Sequence, residues 1–436
     1  MSFYSEDSRW FGVAINDTAY KDLLTRVLNS LIKNENSKNY SFADGYSGLA
    51  TIFGYANEIF PDSGYDLLAH KYLKASIEQI ESTKAPKPLG AFSGLTGIAF
   101  AALYLSGDSG SYKSLLTSLD NIILKNTEEL AIKLKSSKEG LARYYFDVIS
   151  GATGIGAYLL MRGQKESLAA LDKILDAMIY LIGKNEDLLY FYTPNIHLFD
   201  WEKQIFKSGV LDCGMAHGVA GPLSLMSLAY MHDVKREGMK ESIEQICDLL
   251  VKRAKISKDE TDMPGIVEIE RHDDKMGIEL EEKIKLSNQF IPTRVAWCYG
   301  NPGISRALYL GGRAIKREKY IENAISGMKT AYKKMRDKEI VDSPTFCHGI
   351  AGILEITLRF MNDTNQSLFR EQGILLLNQL YEMNQEDSLL GYKNISFDRK
   401  LEDNCGMLEG TSGIIMTLLA ATSNIEPACD RIFLIS

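Results

Sequence analysis

No run in this sequence reaches the ~18 uninterrupted apolar residues of a membrane-spanning helix. Positive charge is in deficit. Against 57 Asp and Glu stand 49 Lys and Arg, a net charge of −8 with a pI near 5.5. Nucleic-acid binders ordinarily carry a basic balance or a basic stripe, so nucleic acid is excluded as a partner class. Cysteine is scarce: Cys213, Cys247, Cys298, Cys347, Cys405 and Cys429, none in a CxxC pair. That excludes a disulfide scaffold, a zinc ribbon and a thioredoxin-like site, and leaves free thiols or metal ligands in a reducing compartment. Neither a phosphate-cradling GxxxxGK[ST] nor a GxGxxG after a strand pattern is present. The N-terminus, MSFYSEDSRWFG, lacks the basic-then-apolar order of a secretion signal, so the chain reads as cytoplasmic. What is there is ordinary globular material, 45% apolar and 24% charged over 436 residues, enough for a sizeable core.

Glycine is not scarce, and it is patterned. A Gly, two residues and a second Gly recur at Gly45–Gly48, Gly94–Gly97, Gly151–Gly154, Gly218–Gly221, Gly300–Gly303, Gly349–Gly352 and Gly410–Gly413. A lone GxxG carries no information, but each of these opens an apolar stretch such as IAFAALYL or ILEITLRF. Repetition of this kind marks a repeat architecture. Before each motif lies an amphipathic pattern at helical spacing, over 18–33, 65–82, 112–136, 165–184, 238–255, 317–336 and 366–383. The predicted unit is an outer amphipathic helix, a glycine-marked turn and an inner helix that is apolar nearly all round. A helix of the latter kind must be buried on every side. Seven such units make an all-α protein, an α/α toroid of seven inner and seven outer helices forming one catalytic domain over 1–436. An open solenoid is the competing architecture, disfavoured because no polar terminal cap stands out. The glycines are expected both to free the backbone and to let crowded inner helices start close together.

Two stretches exceed the unit. Residues 185–217 read as an aromatic-rich loop, and 256–293, between the fourth and fifth motifs, as strand-like or irregular. The latter is a small insertion or lid segment, with a plain surface loop as the alternative.

Chemistry gathers just ahead of the repeat glycines. Cys298 and Tyr299 precede Gly300, and Cys347 and His348 hold the same two places before Gly349. His217 precedes Gly218, and Asp147 lies four residues before Gly151. In a ring, equivalent repeat positions lie at one end of the barrel, so Cys298, Cys347 and His348 converge. Two sulfurs and an imidazole are donors that zinc prefers, and three protein ligands leave one tetrahedral position open, as in a catalytic site. A structural zinc closed by Cys213 or Cys405 (each five residues ahead of its glycine), or simple core packing of these side chains, are the alternatives. His217 with Asp147 forms the carboxylate–imidazole pair that acid–base work requires; a buried core histidine is the bland reading. Arg294 and Tyr299 would add a cation and a phenol near the metal, or be a surface charge and a core aromatic. His70, His197, His232 and His272 lie outside the motif positions.

A zinc with two thiolate ligands suits holding a substrate thiol as thiolate better than splitting water. Addition of that thiolate to an activated alkene would give an enolate, to which His217 could deliver a proton. The WCYG, CHG and AHG motifs within seven GxxG units resemble the lanthionine synthetase C-like family, the cyclases of nisin- and subtilin-type lantibiotics. The resemblance runs from Gly45 to Gly413 and implies the α/α toroid with one zinc per chain at its mouth. It implies Michael addition of precursor-peptide cysteines to dehydroalanine or dehydrobutyrine, forming (methyl)lanthionine thioether rings. It places Cys298, Cys347 and His348 as zinc ligands, with His217, Asp147, Arg294 and Tyr299 around the reacting centre. With no dehydratase-like domain in the sequence, the chain is similar to the stand-alone cyclases. A dehydratase and an ABC exporter, in a complex at the inner face of the membrane, are then separate partners beside the dehydrated precursor peptide. Two rivals remain. A zinc protein prenyltransferase would need a carboxylate ligand and a basic diphosphate pocket. A non-catalytic zinc- and thiol-binding (glutathione-binding) adaptor would share the fold without making thioethers.

Overall fold

The computed structural model describes residues 9–436 apart from 38, 108, 138, 184–189, 259, 272–283, 290, 292, 337–340 and 396–398. Outer and inner helices alternate along the chain: α1 (Thr18–Asn34), α2 (Tyr46–Ile59), α3 (Tyr65–Ser82), α4 (Leu95–Ser106), α5 (Lys113–Lys135), α6 (Ala152–Arg162) and α7 (Lys165–Ile182). A short helix, α8 (Asp200–Ile205), interrupts the pattern. Alternation resumes with α9 (Ala220–Met231), α10 (Met239–Arg253), α11 (Asn301–Ile315), α12 (Glu318–Lys334), α13 (Ile350–Thr364), α14 (Ser367–Glu382) and α15 (Thr411–Thr422). All seven predicted outer helices form within one or two residues of the expected bounds. The inner ones are buried along nearly their whole length, as their all-round apolar character requires: in α15 every residue from Thr411 to Thr422 is buried.

The chain divides into two compact units, each discontinuous in sequence. One holds Met1–Ile123, Val295–Trp297 and Met335–Ser436. Its inner helices neighbour one another in the order α4, α2, α15, α13. α3 packs chiefly on α2, the inner helix before it in the chain, and α14 on α13. α1, which no inner helix precedes, covers α15 instead. The residues leading into α1 bind the end of α15: Trp10 Nε1 donates to the Ala420 carbonyl at 2.9 Å, and the Gly12 and Ala14 amides donate to Ser423 and Ala421. The centre of this unit is aromatic. Phe433 packs against Phe92, Trp297 and Phe346 with ring centroids 5.2, 5.3 and 4.1 Å away, an arrangement of large apolar areas in tilted and edge contacts.

The other unit holds Leu124–Arg294 and Cys298–Lys334, with inner helices in the order α6, α9, α11. Both stretches that exceed the repeat fall here and pair with each other. β1 (Thr193–Pro194), β2 (Gly209–Asp212), β5 (Ile266–Arg271) and β6 (Ile284–Leu286) form one antiparallel sheet in the order β1-β2-β5-β6. Two further strands, β3 (Lys255–Ile256) and β4 (Thr261–Asp262), form a separate ribbon. The strand-like reading of 256–293 holds where it is described; residues 272–283, His272 among them, lie outside the described residues. The aromatic 185–217 stretch, described from 190 onward, is not a loop. It contains α8 and β2, and its apolar residues Leu198, Phe206 and Val210 form a buried cluster against Ile266 and Ile291. Register pairs Val210 with Glu268 and Asp212 with Ile266, which delivers Asp212 to the start of the turn before α9.

Candidate metal and acid–base site

The turns before α2, α4, α9, α13 and α15 are built in one way. An amide at the helix start reaches back seven residues, Tyr46 to the Asn39 carbonyl, Leu95 to Pro88, Val219 to Asp212, Ile350 to Ser343 and Thr411 to Asn404, at 2.8–2.9 Å. This wraps the intervening segment so tightly that a Cβ on either motif glycine would collide with the backbone oxygen six residues earlier. Asn39 meets Gly45 in this way, Phe42 meets Gly48, and Phe346 meets Gly352. Close approach is therefore the reason for the motif. Backbone freedom is not, because φ is −126° at Gly45, −125° at Gly349 and −144° at Gly410, values open to any residue. Gly300 is the exception, at φ 143°.

Successive turns are joined by backbone hydrogen bonds. In the first unit the Cys347 amide donates to the Leu408 carbonyl, those of Met407 and Leu408 to Ala43, and those of Phe42 and Ala43 to Phe92. In the second the Val148 amide donates to Ala216, and that of Ala216 to Cys298. Residues immediately ahead of the repeat glycines are thereby set side by side. One row is His348, Glu409, Asp44 and Ser93; the other is Ser150, His217 and Tyr299.

In the first row the ligand atoms of Cys347, His348 and Glu409 lie within 4.8 Å of one another. His348 keeps 18% of its side-chain surface, with Nδ1 3.9 Å from Glu409 Oε1. Asp44 continues the row, and the protein packed around it, followed by the charge of Glu409, raises its carboxyl above the usual range. A thiol, an imidazole and a carboxylate gathered this closely are donors suited to a borderline cation. Cys405 is buried, its thiol pushed up mainly by that burial, and it stands outside this cluster.

The second row carries the acid–base pair. One oxygen of Asp147 accepts the backbone N–H groups of Ser150 and Gly151, at 2.7 and 2.8 Å, at the entry to α6. The other lies 2.6 Å from His217 Nδ1. A carboxylate acceptor there places the proton on Nδ1 and leaves Nε2 for chemistry. Burial alone would lower the proton affinity of His217. The hydrogen bond and charge of Asp147, with the charge of Asp212, overcome that and raise it above the ordinary histidine value. Tyr299 tilts its ring 33° to that of His217, centroids 6.1 Å apart, and its hydroxyl donates to Asp212 Oδ2 at 2.9 Å. Burial first, and then Asp212, hold its phenol protonated.

His217, Asp147 and Tyr299 are thus brought together, and so are Cys347 and His348. Cys298 is buried two residues ahead of Gly300 in the second unit. Arg294 is exposed and forms no hydrogen bond or ion pair among the described residues. Glu409, Asp44 and Asp212 escaped the sequence reading. The first two had a signal, the place immediately ahead of a repeat glycine that His217, Tyr299 and His348 also occupy. Asp212 had none, because strand pairing brings it in.

A family model described as lanthionine synthetase C-like protein matches residues 36–434. The nisin biosynthesis protein NisC of Lactococcus lactis subsp. lactis is 26% identical over 397 residues, covering 88% of this chain and 87% of that one. A solved structure described as nisin cyclase superposes with a TM-score of 0.74 at 22% identity, covering 97% of each chain. The shared fold is the helical toroid expected from the seven repeats.

Proposed function

The chain belongs to the lanthionine synthetase C-like family, and from that premise we propose that it is a zinc-dependent peptide cyclase. In this reading it joins cysteine thiols of a dehydrated lantibiotic precursor to dehydroalanine or dehydrobutyrine, closing thioether rings. The observation that carries the proposal is the gathering of Cys347 and His348 with Glu409, which holds the place of His348 in the next repeat. Such donors fit zinc. Cys347 and His348 would hold it, and Cys298, two places ahead of Gly300 as Cys347 is ahead of Gly349, is proposed as the third ligand. When bound, zinc supplies the ionisation of a substrate thiol, which at neutral pH is otherwise only a few per cent thiolate.

The chain's own residues supply the rest. As the thiolate adds to the β-carbon of the dehydro residue, the new C–S bond displaces the alkene electrons onto the adjacent carbonyl as an enolate. His217, protonated and held by Asp147, delivers its Nε2 proton to the α-carbon. The proton lost by the thiol restores the imidazolium, so mass is conserved. Tyr299, a neutral phenol whose hydroxyl donates to Asp212, sets its ring beside the imidazole, and Arg294 is proposed as a cation for the developing enolate. The dehydrated precursor is the substrate. A dehydratase and an exporter at the membrane are proposed partners, consistent with the absence, among the described residues, of any helix long and apolar enough to cross a membrane.

The non-catalytic adaptor would need the thiol-holding donors but not an oriented histidine, so the Asp147–His217 pair supports the enzyme. The deciding experiment is mass spectrometry of a dehydrated precursor incubated with the protein. Loss of alkylatable thiols at unchanged mass is the expected result. Full alkylation despite one bound zinc per chain would establish the adaptor instead.

A further inference from the structure

Beneath the His217–Tyr299 pair lies a cluster of charges that the proposed reaction does not use. Arg143 grips Glu202 with both terminal nitrogens, each at 2.9 Å. Its Nε lies 3.1 Å from Asp212 Oδ2. All three side chains are at least nine-tenths buried. Asp212 is otherwise fully engaged: Oδ1 accepts the Gly214 amide at 2.9 Å, and Oδ2 accepts the Tyr299 hydroxyl at the same distance. Glu202 is held in turn by the Phe199 amide at the start of α8. Buried charge at this density is costly unless paired, and two carboxylates face one guanidinium. Protonated His217 is a further cation whose charge acts on Asp212.

The backbone is shaped to the same end. A Cβ at Gly214 would lie 2.7 Å from the Tyr299 ring and equally close to the Cys298 carbonyl. The ring therefore rests against bare backbone on one side while its hydroxyl is pinned by Asp212. We propose that Asp212, clamped by Arg143 and Glu202, is a positioning residue that fixes the Tyr299 phenol beside His217 for proton delivery. A general acid and its neighbours must be placed to within a fraction of an ångström, and buried charge-assisted bonds do this better than packing alone. The cluster also sets the field at His217. Asp147 and Asp212 favour its imidazolium and Arg143 opposes it.

This inference rests on the cyclase reading, so its test has an arm that needs no turnover. Asp212→Asn keeps the shape of the side chain and removes its charge. In this variant the imidazole titration of His217, followed by NMR and assigned with His217→Asn, is expected to move to lower pH. An unmoved titration would overturn the proposal. In the kinetic arm, Asp212→Asn and Tyr299→Phe should each lower kcat by about 10- to 100-fold with KM little changed. The double variant should be no slower than the slower single one, because both remove one interaction. Multiplicative losses, or loss of bound zinc in Asp212→Asn, would show a merely structural role and overturn it. Should Asp212→Asn fail to fold, Glu202→Gln loosens the clamp while leaving the Asp212 charge in place. A fall in its kcat that disappears in the Tyr299→Phe background supports the proposal, and one that persists overturns it. Absence of cyclisation by the wild type would refute the cyclase reading, while the titration would still decide this one.

Discussion

Asp147 divides its two oxygens between structure and chemistry: one caps the turn into α6 through the Ser150 and Gly151 amides, and the other holds Nδ1 of His217 at 2.6 Å. The cap fixes the carboxylate before the histidine arrives, so the imidazole is oriented by a group that cannot swing away. Because His217 belongs to the next repeat, the pair also ties neighbouring turns together, in parallel with the backbone bond from Val148 to Ala216.

Asp147→Asn separates these two duties. An amide oxygen still caps α6, but the amide nitrogen faces Nδ1 and drives the imidazole into the tautomer with its proton on Nε2, which cannot become the charged donor as readily. Thermal stability should be nearly unchanged while cyclisation slows about 10²- to 10⁴-fold, the usual range for a general acid–base group. The rate at which precursor thiols become resistant to alkylation measures this. An undiminished rate would remove His217 from the chemistry.

The raised proton affinity of His217 makes a stability contribution whose sign follows from linkage. In the unfolded chain the imidazole has its ordinary value of 6.5, and in the folded protein a higher one. Folding then favours proton uptake, so the contribution is complete below pH 6.5 and disappears as pH rises through the folded value. Wild type should exceed His217→Asn in thermal midpoint most at acid pH, with the gap narrowing toward alkaline pH. Melting curves of both proteins across that range check it, and a gap that widens with pH would contradict the assigned direction.

Much of this was legible in the chain because the repeat imposes a register. The all-round apolar stretches beginning at Leu95, Ile350 and Thr411 had no other way to be buried, and the amphipathic ones between them had one dry face each. Once the register was known, His217, Tyr299 and His348 fell into one class. Glu409 and Asp44 belong to the same class and were passed over because a carboxylate ahead of a glycine looks like an ordinary turn residue. Three things were not readable. The order of hairpin packing, with α1 covering α15, depends on contacts between the two ends of the sequence. Asp212 and Arg143 meet across 69 residues through a sheet whose strands are two to six residues long, too short to show periodicity. The glycine motif has several possible causes, and only the folded backbone separates close approach from conformational freedom.

Glu409 beside His348 raises a question of coordination that metal affinity can answer. If Cys298, Cys347 and His348 are the ligands, Glu409 acts on the imidazole rather than on the ion. Glu409→Gln should then weaken zinc binding by about 10- to 100-fold, as losses of outer partners do, while one zinc per chain is retained at saturation. Cys298→Ala, Cys347→Ala and His348→Ala should each abolish stoichiometric zinc. Competition with a chromophoric chelator reads all four. Zinc-free Glu409→Gln protein would place the carboxylate in the ligand set, and stoichiometric zinc in Cys298→Ala would remove that residue from it.

Close approach at the repeat glycines sets an order of stabilities that helix propensity alone would reverse. Gly352 lies in the first turn of α13, where alanine would ordinarily add about 1 kcal/mol. Its Cβ would instead collide with the Phe346 backbone oxygen and approach the Trp297 Cβ at 3.3 Å, and neither can move without displacing the aromatic centre of the unit. Overpacking of this kind costs about 1–3 kcal/mol, so Gly352→Ala should lower the thermal midpoint despite the better helix former. Gly64, which caps α3, is the opposite case. Its φ is +77° with no atom near the missing Cβ, and asparagine tolerates that left-handed conformation, so Gly64→Asn should be close to neutral. Denaturant unfolding of the two variants beside wild type gives the comparison. A stable Gly352→Ala protein would mean that the turn relaxes to admit a methyl group, and close approach would no longer account for the repeated glycines.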